Sequence, residues 1–168
     1  MRTSFVTTAR GARRARPAIA AGIALLALLL AVGPVAAAEH YRSAAALREY
    51  DGGPKIGSAY LDRYFGGSPP GPTKTTLRVV VPQATSGTYS VRIFAGVCFS
   101  EGFDLVRLTA KATSTVAGTT RLDRTMTLTT AQRRKLQQAY DAGSPVGVLV
   151  SKGDWSACGQ FGRPKYIP

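Results

Sequence analysis

The sequence predicts a mainly β protein, an antiparallel β-sandwich or barrel with one helix near its C-terminus. Three observations lead there. Short stretches between Leu77 and Leu128 alternate apolar and polar residues with a period of two. Turn-forming glycine, proline and serine separate them. One stretch, beginning at Thr129, carries a helical period between a start and a stop signal. Five or six short strands with a single helical connection suit an antiparallel sheet packed or closed on itself.

In order along the chain, residues 1–38 read as a signal peptide. Arg2, Arg10, Arg13, Arg14 and Arg16 form a positive start without an acid, and Ala18–Val32 is apolar but short for a bilayer. Ala36-Ala37-Ala38 then supplies a small-residue cleavage site, so the mature chain is expected to begin at Glu39 with no transmembrane segment. Losing five arginines and no acid takes the net charge from +13 to +8. The expected location is outside the cell or in its envelope. The expected partner of so basic a chain is an unidentified protein or an anionic envelope polymer, with no specific nucleic-acid reader, and the chain is expected to be a monomer.

Residues 39–65 form an N-terminal segment, either an edge strand or a flexible extension. Ser43–Tyr50 predicts a short helix capped by Ser43 and halted by Asp51-Gly52-Gly53-Pro54. In Ser58–Phe65, Ala59 and Leu61 alternate with Tyr60, Asp62 and Tyr64, which predicts an amphipathic strand, with a helix as the alternative. Residues 66–74 are a Pro/Gly linker, and 75–168 the β domain. Strands are predicted over Thr75–Val81, Thr88–Val97, Phe103–Ala112 and Thr119–Leu128. In the last, Arg124 falls in phase with Leu122, Met126 and Leu128, so either a bulge rotates it outward or it is partly buried. Thr129 and Gln132 make a capping box, Leu136, Ala139 and Tyr140 share a face, and Gly143 with Pro145 ends the helix. Val146–Val150 is the strand that follows, and Cys158 lies in a short loop or strand beyond it.

Cys98 and Cys158 are the only cysteines, and in an exported chain they predict one disulfide. In the chain-entropy model, closing a loop of this length contributes about 4 kcal/mol. Catalytic chemistry finds few components. The single histidine, His40, sits two residues past the cleavage point, where chain ends are mobile, so no Ser-His-Asp or Cys-His set can be assembled. Among the acids, Glu101 and Asp104 flank a turn, where solvated carboxylates are ordinary. No phosphate-binding glycine loop occurs. The expectation is therefore a non-enzyme without a cofactor. Candidate binding residues are Trp155, beside Cys158, and the basic run Arg133-Arg134-Lys135 on the helix.

Val91-Arg-Ile-Phe-Ala-Gly-Val-Cys98, then Gly102, Leu105 and Leu108, then Leu128-Thr-Thr-Ala-Gln132, Leu136, Gly143, Val146-Gly-Val148 and Ala157-Cys-Gly159 together resemble a chordin-type (CHRD) domain over roughly residues 77–161. The resemblance implies a superoxide-dismutase-like or Ig-like sandwich of unassigned activity. Histidines common in that family fall at Arg92, Phe94 and Leu149 here, so any metal such relatives hold is not expected in this chain. The sequence thus points to an exported, non-enzymatic binding module. The alternative is a cationic secreted effector or protease inhibitor using the loop beside the disulfide.

Overall fold

The computed structural model describes residues 38–66, 71–100, 102–114 and 120–168. The predicted signal peptide up to residue 37, residues 67–70 of the linker, and Glu101 lie outside the described residues. The elements are β1 (Glu39–Leu47), β2 (Gly57–Phe65), β3 (Pro72–Val81), β4 (Gly87–Ala95), β5 (Phe103–Ser114), β6 (Thr120–Thr127), α1 (Thr130–Asp141), β7 (Val146–Lys152), β8 (Trp155–Gln160) and β9 (Lys165–Ile167). The mainly β fold with one late helix is therefore present as predicted.

The strands form one antiparallel sheet in the order β8-β7-β4-β5-β6-β3-β2-β1-β9. β5 and β6 pair only at Thr113↔Arg121 and Ser114↔Thr120, so the sheet bends there into two layers. It also curls back on itself. The Arg48 and Cys158 amides each donate to the other's carbonyl, at 2.9 and 2.8 Å, and the Gly162 amide donates to the Ala44 carbonyl at 3.0 Å. β1 thus takes β9 along its start and touches β8 near its end, which leaves neither as a long open edge. Two Greek keys overlap. β4, β5 and β6 run as a meander whose last strand returns beside β3, and α1 then carries the chain across to place β7 on the other side of β4.

Side chains at alternate positions fill the space between the layers. Leu47, Leu61, Leu77, Val79, Val91, Ile93, Leu122, Val148 and Val150 are wholly buried, joined by Leu128 and Leu136 from the helix region. Each such side chain contributes roughly 1.5–3 kcal/mol. α1 has the predicted ends. The Gln132 amide donates to Thr129 Oγ1 and the Thr129 amide to Gln132 Oε1. At the other end the Gly143 and Ser144 amides donate to the Tyr140 and Ala139 carbonyls, with Gly143 at a φ of 68°.

Several expectations need correction. Residues 43–47 belong to β1 and are not helical. The run Ser-Ala-Ala-Ala-Leu is a good helix former, but Ser43, Ala45 and Leu47 turn inward at a period of two, and pairing to β2 on one side and β8 and β9 on the other satisfies the backbone. Residues 39–65 are accordingly neither an edge nor an extension: β1 and β2 sit inside the sheet and belong to the same compact unit as β3 to β9. β3 starts at Pro72, inside the predicted linker. β4 ends at Ala95, leaving Val97 outside the strand and exposed. Arg124 is exposed without a bulge between β3 and β6; it reaches across the gap where β5 and β6 part, and its Nε donates to the Lys111 carbonyl at 3.0 Å.

Candidate functional site

The outer face of β1, β2, β3 and β6 is built from the residues that alternate with the core. Register places His40 beside Tyr64 and Ile167, Arg42 beside Asp62, Tyr60 beside Arg78, and Val80 beside Asp123. Arg42 donates through Nε and Nη2 to the two oxygens of Asp62, at 2.7 and 3.2 Å. His40 Nε2 adds a third hydrogen bond to the same carboxylate at 2.8 Å, its ring stacked on Tyr64 with centroids 4.3 Å apart. One diagonal step away, Arg78 donates through Nε and Nη2 to Asp123, both at 2.9 Å, and Arg121 Nη2 donates to Asp123 at 2.8 Å.

These carboxylates are held in the charged state. Burial pushes the Asp62 carboxyl up, but the hydrogen bonds from Arg42 and His40 outweigh it, and the group lies below its ordinary range. Asp123 is lowered chiefly by the Arg78 hydrogen bonds. The arginines respond in the opposite sense: Arg42 is raised by Asp62 and Arg78 by Asp123.

Arg42, Arg78 and Arg121 surround Ser58, Tyr60 and Val80 in a depression of about 330 Å³. The Arg42 guanidinium lies 5.6 Å from the Tyr60 ring centroid, and the Lys74 ammonium the same distance from Tyr64. Four permanent cations thus face two carboxylates. Arg42 and Arg78 each spend one edge of the guanidinium on an aspartate, which fixes the plane and leaves further N–H donors for another acceptor. Arg121 Nε is buried and makes no hydrogen bond among the described residues. Such an arrangement is suited to binding anions. Among the described residues no group of three or more acids, cysteines and histidines could hold a metal ion.

The predicted candidates fall elsewhere and do not form one surface. Arg133 donates to the Leu128 carbonyl and to Thr130 Oγ1, tying down the start of α1. It shares a groove of about 440 Å³ with Arg134 and the start of β3, while Lys135 borders a different one, beside Phe103 and Leu105. Trp155 is partly buried, edge-on to Tyr89, and its Nε1 donates to Glu49 at 2.5 Å. Cys98 and Cys158 are joined in a disulfide across 60 positions of sequence. Cys158 stands opposite Leu149 on the outward side of β8, so the bridge pins the turn after β4 to the outside of the sheet. Asp104 is occupied by Arg92 and Arg107. The Phe94 ring occupies the space beside Gly147, where an added Cβ would come to 2.5 Å from its Cζ, and Leu149 faces Arg92. His40, expected at a mobile end, is fixed in β1.

The basic face was missed because its arginines come from three strands, β1, β3 and β6, that only the register brings together. The available signal was arginine at outward positions of alternating strands, as at Arg78. No family model, curated protein or solved structure matches the chain.

Proposed function

We propose that this protein is an exported, non-enzymatic binding module that holds an anionic cell-envelope polymer on the outer face of β1, β2, β3 and β6. The observation that carries the reading is the set of three arginines turned by Asp62 and Asp123 around Ser58 and Tyr60. Guanidinium groups fixed in orientation recognise phosphate or carboxylate through paired hydrogen bonds, and less entropy is lost on binding. The net charge of +8 after loss of the signal peptide draws such a polymer in from a distance. The disulfide agrees with an oxidising exterior, and no helix among the described residues is long and apolar enough to cross a membrane. Co-sedimentation of the secreted protein with purified envelope polymers, phosphodiester and polyuronate, tests the reading. Binding that weakens with ionic strength and falls about tenfold or more in the Arg42→Gln, Arg78→Gln, Arg121→Gln triple variant supports it; binding unchanged in that variant refutes it.

A second reading, a secreted inhibitor or effector, draws on Val97, Phe99 and Phe103, which are exposed beside Cys98. A substrate-like inhibitor must present extended backbone to its target. Phe99 has a φ of 62° and sits in a turn, which favours the first reading.

A further inference from the structure

The inner face of the same strands carries a second basic site, independent of the polymer-binding reading. Arg63 is 7% exposed, points between the layers in phase with Ala59 and Leu61, and makes no ion pair within 4 Å among the described residues. Its Nε has no hydrogen-bond partner among those residues. Three hydroxyls in its neighbourhood share that condition: Ser43 Oγ, Thr75 Oγ1 and Tyr140 Oη, all buried. The register gathers them. Thr75 is directly opposite Arg63 on β3, and Ser43 is its diagonal neighbour on β1, opposite Leu61. Tyr140 descends from α1 with its ring centroid 4.3 Å from the guanidinium carbon, and Ser43 approaches its hydroxyl as a poorly aligned hydrogen-bond partner, which leaves one of the pair's two hydroxyl hydrogens for another acceptor.

A guanidinium cannot shed its proton, and burying it without a counterion is costly. The Tyr140 ring offsets part of that cost through its face. The ring face accepts none of the hydrogen bonds that the buried Nε and hydroxyls lack. Glu39, the acid on the inward side of β1, instead accepts a hydrogen bond from Tyr41 at 3.0 Å. What the four groups have in common is a polar hydrogen to donate, and one of them carries a full positive charge. Water balances neither the charge nor so many donors. A carboxylate or phosphate is large for a place bounded on the same face by the wholly buried Leu61 and Leu77.

We propose that Arg63, Ser43, Thr75 and Tyr140 form a buried site for a single halide ion, chloride under ordinary conditions. It would lock β1, β2 and β3 to α1. Binding to the folded chain alone raises stability with the logarithm of halide concentration once the site begins to fill.

The test is thermal unfolding of the secreted protein in sodium chloride, sodium bromide and sodium gluconate at matched ionic strength, with bromide anomalous diffraction on crystals of the same protein. The expected result is a midpoint that rises saturably in both halides above gluconate, and a bromide peak among the four donors. Arg63→Gln abolishes the halide-specific rise, whereas the triple variant of the outer arginines retains it. Should Arg63→Gln fail to fold, Thr75→Val keeps the volume and is expected to shift the halide response to higher concentration. Superimposable curves in the three salts, a halide-specific rise that survives in Arg63→Gln, or an ordered water in place of bromide would overturn the proposal.

Discussion

Arg42 and Arg63 project from opposite faces of the β1–β2 hairpin, and their surroundings are opposite in kind. Arg42, on the outside, is half-exposed and grips Asp62 with two hydrogen bonds. Arg63, on the inside, is buried against the Tyr140 ring and has no carboxylate within 4 Å among the described residues. The outer arginine is oriented by its partner and retains donors to offer. The inner one has charge and donors that the described protein atoms do not satisfy. Two arginines in one hairpin therefore differ in role through the parity of their position, which decides whether water or an apolar core surrounds them.

The largest expected effect separates this hairpin from the opposite layer. The Cys98–Cys158 bridge lies on the β4, β7 and β8 side, so its loss in Cys158→Ala is expected to cost about 2–4 kcal/mol in chemical denaturation. Polymer binding, measured well below the unfolding midpoint, should persist, because the arginine face is in the other layer. Within the hairpin, Asp62→Asn is expected to lower stability by about 2–3 kcal/mol, since it strips Arg42 and His40 of a nearly buried carboxylate. Arg63→Met, of similar volume, should change stability by no more than about 1 kcal/mol in gluconate, because it removes an uncompensated charge along with its aromatic contact. Equal losses in the two variants would erase the contrast between the faces.

Acid sharpens the same comparison. Asp62, Asp104 and Asp123 all titrate below the ordinary aspartate value of 3.8 in the folded chain: burial opposes the shift at Asp62 and Asp104 and is outweighed by the arginine hydrogen bonds, while at Asp123 the Arg78 hydrogen bonds dominate. A lowered folded value contributes stability that is full above the unfolded value and is lost as pH falls through the folded one. Denaturant midpoints are therefore expected to drop as pH falls below about 4, and less steeply in Asp62→Asn.

The sequence made the helix legible to its caps because those signals are local: Thr129, Gln132 and Gly143 act within a few residues of themselves. Alternation located most strands for the same reason. β1 was read as a helix in part because Ser43–Leu47 has helical propensity, and what overrides it is pairing with β2, β8 and β9, partners up to the far end of the chain. The outer site was hidden by the same non-locality, since Arg42, Arg78 and Arg121 meet only through register. Arg63 did leave a trace, a charged residue in phase with Ala59 and Leu61 on the face that must be buried.

In the proposed polymer site, Asp62 and Asp123 orient the outer arginines, beyond merely neutralising them. Asp123→Asn tests this role directly, because Asp123 is on the surface and its loss makes the face more positive. Affinity for a phosphodiester polymer, measured by calorimetry at fixed ionic strength, is expected to be about fivefold weaker in this variant as Arg78 and Arg121 lose their fixed planes. Affinity that stays equal or tightens would show that net charge alone attracts the polymer, and would contradict the oriented site.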